Sequence, residues 1–117
     1  MLTLPAALRV YLCVEPTDMR KSFDTLAALV RDKLALDPLS GQLFVFRSRR
    51  GDRVKLLFWD GDGYALWYKR LELGSFRFPA AAADAVSVKI SAGDFRLLLD
   101  GVDLTSVRRG KRYRREA

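Results

Sequence analysis

The chain contains no histidine and a single cysteine, Cys13. Without histidine it has no Ser-His-Asp triad, no imidazole general base and none of the common zinc sites that use imidazole. With one cysteine it has no intrachain disulfide and no basis for a cysteine metal cluster, and it suits a reducing compartment, so the cytoplasm is expected. Nowhere does an apolar run approach the length of a membrane span. The opening MLTLPAALRVYLCV is apolar but is interrupted by Arg9 and lacks the charged leader of a secretory signal, so it reads as a first strand. No internal repeat is present.

What the chain has is charge of one sign, unevenly placed. Its 117 residues suffice for one domain. Lysine and arginine number 21 against 14 acidic residues, a net charge of +7. Residues 47–55 hold five cations (Arg47, Arg49, Arg50, Arg53 and Lys55) and one anion, Asp52. Residues 108–117, RRGKRYRREA, hold six cations and one anion. Outside these two stretches ten cations face twelve anions, so the body is slightly acidic and the basicity is confined to two places. Such segregation points to a polyanionic partner.

The local patterns predict an α+β fold. Residues 8–14, LRVYLCV, read as a strand ended by Pro16. Thr17 then caps a helix over 18–35, with Asp18 in its first turn and Met19, Phe23, Leu26, Ala27, Val30 and Leu34 on its core face. Asp37-Pro38 and Ser40-Gly41 turn the chain into QLFVFRSRRGDRVKLLFWDGDGYALWYKR. Its three apolar runs and two short turns predict an antiparallel meander of strands 42–48, 53–59 and 64–70, with the cation cluster at the first turn. One face of that meander is expected to be apolar, and the other to mix Arg53, Lys55, Trp59, Trp67 and Lys69. VSVKI at 86–90 reads as a further strand, and Ser91 with Asp94 as the start of a helix over 92–100 with Phe95, Leu98 and Leu99 inward. The expectation is an antiparallel sheet of four or five strands packed on one main helix, with a short C-terminal helix. Residues 1–104 form one domain and 105–117 a flexible basic tail.

The cations at the first turn suit phosphate contact, since arginine forks match phosphate oxygens; a charged edge strand that guards against aggregation is the plainer reading. Lys69 and Arg70 extend the track, as do Arg108, Arg109, Lys111 and Arg112 of the tail, which bind by charge without sequence discrimination. Trp59 and Trp67 supply either stacking faces for bases or anchors for a core or interface, and the burial habits of aromatic residues favour the core. Asp60 and Asp62 begin like a calcium loop, but the position that needs a glutamate is Leu71, so WDGDGY is a hairpin turn. A metal-dependent nuclease using some of Asp18, Asp24, Asp60, Asp62 and Glu72 would need those carboxylates to converge at strand ends, and it ranks well below the other readings. Neither catalytic nor metal-binding residues, nor a cofactor, are expected.

The segments PTDMRKSFDTLAALV, DPLSGQLFVFRSRRGDRVKLLFWDGDGYALWYKRLELGSFRFP and LLLDGVDL together resemble one family. It is the small TnpB accessory protein of the insertion-sequence-sixty-six family of bacterial transposons, which shares only a name with the RNA-guided nucleases. The resemblance runs from about Val10 to Leu104 and is carried by DMRK, DPxSGxLFVFR, RRGDRxK, WDxxG and YKRLE. It implies an accessory protein for DNA transposition, working beside a separately encoded DDE transposase, with no catalytic residues to carry over. The expected partners are DNA, through the basic hairpin and tail, the transposase of the same element, and a second copy of the chain; a membrane is not among them. An adaptor that docks the transposase through an aromatic face or a sheet edge is the alternative.

Overall fold

Alternating side chains with two apolar faces are what a sheet covered on both sides requires, and the central strands have them. The computed structural model describes residues 4–101. Five strands form one sheet: β1 (Arg9–Cys13), β2 (Leu43–Arg47), β3 (Arg53–Trp59), β4 (Tyr64–Arg70) and β5 (Ser87–Ser91), in the order β4-β3-β2-β1-β5. Two helices, α1 (Phe23–Asp32) and α2 (Ala92–Leu99), cover its faces. The fold class is α+β, as the sequence predicts.

The sheet is mixed, and not antiparallel throughout. β1 and β2 run parallel, with Val10 beside Leu43 and Leu12 beside Val45. The chain leaves β1, crosses the sheet through α1 and re-enters at the same end, which is how a parallel pair is joined. The other three pairings are antiparallel.

Side-chain alternation divides the core in two. On one face Val10, Leu12, Leu43, Val45, Val54 and Leu56 pack with Phe95 and Leu98 of α2 and with Phe76. On the other, Cys13, Phe44, Phe46 and Leu57 pack with Leu26, Ala27, Val30 and Leu34 from α1 and its C-terminal flank. Burial in that second core pushes the Cys13 thiol pKa up. β2 is therefore apolar on consecutive residues because both its faces are covered.

The register corrects the expected mixed face. Leu56 opposes Trp67, and Val54 opposes Lys69, so Trp67 and Lys69 share the α2 face. Arg53, Lys55 and Trp59 share the α1 face with Arg70, Tyr68 and Tyr64.

Helix α1 is shorter than the 18–35 pattern. The Thr17 N–H donates to the Arg47 carbonyl at 2.8 Å, holding that segment to the end of β2. The helix begins instead after Ser22, whose N–H donates to Thr25 Oγ1 at 3.0 Å. Phe23 consequently lies exposed, while Met19 still packs on the α1-side core from outside the helix. At the other end Ala35 takes a φ of 56°, and the Leu36 N–H reaches the Val30 carbonyl at 3.0 Å. Helix α2 starts where expected, with the Asp94 N–H donating to Ser91 Oγ at 3.0 Å. Residues 80–85 form no helix. The predicted tail, 105–117, lies outside the described residues.

Candidate nucleic-acid interface

Ser48 closes the turn between β2 and β3. Its N–H donates to the Arg53 carbonyl at 2.9 Å, its Oγ accepts from the Arg53 N–H at 3.1 Å and donates to Asp52 Oδ1 at 3.2 Å. Gly51 adopts a φ of 79°, a conformation that costs a residue with a Cβ but not glycine. Two backbone bonds brace the turn from outside: Leu71 N–H to the Asp52 carbonyl and Phe76 N–H to the Gly51 carbonyl, each 2.8 Å. The tip that carries Arg49 and Arg50 is thus fixed to the segment leaving β4, and both arginines are exposed on it.

The predicted cations divide into two groups. Arg47 is spent on the fold: its Nε donates to the Val14 carbonyl at 3.1 Å, and its guanidinium lies 5.6 Å from the centre of the Phe78 ring. Lys55 is spent likewise, with only 7% of its surface exposed, its Nζ donating to the Lys21 carbonyl at 2.7 Å and lying 4.8 Å from the Tyr68 ring centre. Arg49, Arg50 and Arg53 belong to none of the ion pairs among the described residues. Arg53 stands directly opposite Arg70 across the β3–β4 ladder, a like-charged pair that destabilises a sheet. Arg70 is exposed and paired with Glu72 at 3.3 Å. Lys69 is half-buried on the α2 face.

Trp59 and Trp67 are both half-buried. Trp59 meets Tyr64 edge to face, ring centres 5.1 Å apart, and Trp67 packs on the α2-side core. Arg108, Arg109, Lys111 and Arg112 lie outside the described residues.

The fold adds two basic residues that the sequence reading left out of the interface. Arg77 lines a cleft of about 550 Å³ between the hairpin tip and the segment 75–81, together with Arg47, Arg49, Arg50, Phe78 and Pro79. The signal was the alternation in FRFP: Phe76 turns into the core, so Arg77 turns out. Arg20 lines a second depression, of about 600 Å³, on the other side of the tip, with Asp18, Arg49, Arg53 and Tyr68. Arg49 borders both.

Asp18 pairs with Arg20 and offsets its charge, so the excess of positive charge in that second depression comes from Arg49 and Arg53. Asp18 accepts from the Arg20 guanidinium at 2.6 Å and from the Arg20 N–H at 2.9 Å. These hydrogen bonds, the guanidinium's first, hold its carboxyl far below the usual carboxylate range. Among the described residues no three acidic or cysteine side chains come close enough to hold a metal ion, and no helix is long and apolar enough to cross a membrane. The chemistry on offer is fork-shaped donation to oxyanions from a braced ridge with a basic hollow on either side.

A family model described as "IS66 Orf2 like protein" matches residues 8–109. Two proteins of Sinorhizobium fredii (strain NBRC 101917 / NGR234) are similar to the chain. The uncharacterized protein y4jC is 41% identical over 102 residues, covering 87% of this chain and 86% of that one. The uncharacterized protein y4hO is 43% identical over 95 residues, covering 81% of each. No solved structure matches the chain significantly.

Proposed function

The chain belongs to the IS66 Orf2-like family, a family of transposition-associated accessory proteins, and from that premise we propose that it is a non-catalytic factor that holds DNA on its basic hairpin. Arg49 and Arg50 contact phosphates from the tip. Arg53 and Arg77 extend the contact into the hollows on either side, and Lys69 and Arg70 lie along the same end of the sheet. The transposase of the same element supplies the chemistry and the choice of site.

One observation carries this reading. Arg47 and Lys55 answer to carbonyl oxygens within the fold, whereas Arg49 and Arg50 project from a turn held by six hydrogen bonds. A rigid mount for exposed arginines spares much of the ordering cost when they meet a phosphate backbone. Backbone contacts of this kind position a protein on DNA without reading its sequence.

Fluorescence anisotropy with duplex DNA over a salt series tests it. The full chain, a version ending at Leu104, and Arg49→Ala/Arg50→Ala are compared. Each lost phosphate contact lowers the log–log salt slope by about 0.9, so the double variant loses about 1.8. An unchanged slope in that variant, or a full chain that fails to bind at low salt, refutes the proposal. A loss confined to the truncated version moves the DNA contact to the tail.

A further inference from the structure

The two edges of the sheet are built differently. β5 carries Lys89 at its middle, a charge set where an added strand would dock. β4, at the opposite edge, is seven residues long and contains no proline, and its first five residues, Tyr64 to Tyr68, are uncharged, the cations Lys69 and Arg70 lying at its C-terminal end. Among the described residues it pairs with β3 alone. Tyr68 is 50% exposed there. A five-residue uncharged run on an edge strand is a template for another strand.

Its charges say which strand. Asp60 and Asp62 precede β4, and Lys69 and Arg70 end it. A second β4 laid antiparallel beside the first brings acidic end to basic end twice over, whereas a parallel one sets like against like. We propose that β4 pairs antiparallel with β4 of a second copy of this chain, about a two-fold axis through Leu66.

The register follows from the pleat. A two-fold axis perpendicular to the sheet keeps every side chain on its own face. With the axis on Leu66, Tyr64 faces Tyr68 of the second copy, small Ala65 faces large Trp67, and the turn that carries Asp62 comes beside the end of the second β4 at Arg70. Moving the axis to Trp67 sets two tryptophans against each other and takes Arg70 away from Asp62. Moving it to Ala65 sets Asp62 against Tyr68. Because Arg53 lies opposite Arg70, the pairing leaves one hairpin tip at each end of the joined sheet. It depends on no DNA contact.

Sedimentation velocity over a concentration series tests the pairing with nucleic-acid-free full chain, Asp62→Arg, Arg70→Asp and the double reversal. Both positions are exposed, so the fold survives the changes, which circular dichroism verifies. The parent forms a concentration-dependent dimer. Each single reversal turns two attractive pairs into repulsive ones and weakens the dimer about tenfold, and the double reversal restores it to within about threefold of the parent. A parent that stays monomeric to concentrations on the order of 100 μM overturns the proposal. So do single reversals that dimerise as tightly as the parent, or a double reversal as weak as either single.

Discussion

The ammonium of Lys55 donates a hydrogen bond to the main-chain oxygen of Lys21 at 2.7 Å, tying the middle of β3 to the segment that leads into α1. A buried cation with one carbonyl partner and an aromatic ring beside it has a structural task. Lys55→Met keeps the stem and removes the donor. It should lower unfolding stability by about 1–3 kcal/mol. Urea denaturation measures that loss, and the salt slope of DNA binding should stay at the parent's value. A slope reduced by about 0.9 with stability intact would make Lys55 a phosphate contact instead.

Gly51 sits at φ 79° at the hairpin tip, and a Cβ added there would lie 3.5 Å from Ser75 Cβ, an ordinary contact. The cost of Gly51→Ala is therefore one of backbone conformation, about 1–2 kcal/mol. Since the Gly51 carbonyl accepts from Phe76, relaxation of the turn also swings Arg49 and Arg50 off their mount. Thermal unfolding should show the loss, and anisotropy should show weaker DNA binding although no charge has been removed.

Ala35 presents the opposite case. It takes a φ of 56° just past α1, its own side chain exposed between buried Leu34 and half-buried Leu36. A residue with a Cβ pays for that conformation, and glycine does not. Ala35→Gly should raise stability by about 0.5–1 kcal/mol, after allowing for the greater freedom of glycine in the unfolded chain. A rise in the urea midpoint at constant slope is the expected reading; a fall would mean that the Ala35 methyl group makes a contact worth more than the strain.

Asp18 governs an acid-side effect. Its folded-state pKa is depressed by the Arg20 guanidinium and N–H, so the pair contributes stability above the unfolded value of about 3.9. That contribution falls away as pH drops below this value toward the folded one. The carboxylate is solvent-exposed, so the share is small, and the titration is the better readout. Carbon NMR should find Asp18 still ionised at about pH 3, where ordinary carboxylates have taken up protons. Arg20→Gln should return it to the ordinary range. An Asp18 that titrates normally in the parent would mean that the pair does not persist in solution.

Much of the architecture is legible along the chain because it follows from neighbouring residues. The expected strands 53–59 and 64–70 coincide with β3 and β4, and Ser91 caps α2 as its spacing with Asp94 indicates. Alternation, Asp-Gly turns and a serine three residues before an aspartate are local statements. The parallel pairing of β1 with β2 is not one. It is set by α1 carrying the chain back across the sheet, and a strand's own residues are silent about which neighbour it meets. The placement of Trp67 and Lys69 on the α2 face likewise depends on a register fixed between strands.

The candidate interface divides along the same line. The crowding of cations at residues 47–55 was determined by the sequence by itself, as was the family resemblance that gives those cations a context. Which cations stay available was decided only by the tertiary structure. Arg47 is taken up by the carbonyl of Val14 and Lys55 by that of Lys21, partners 33 and 34 residues away. Arg77 lines one cleft with Arg49 and Arg50, whatever else it contacts, because the chain folds back against the tip at Gly51. A side chain's charge belongs to its residue type, but its freedom to meet a partner depends on whether a distant backbone oxygen has already claimed it. That information exists only once the sheet has closed.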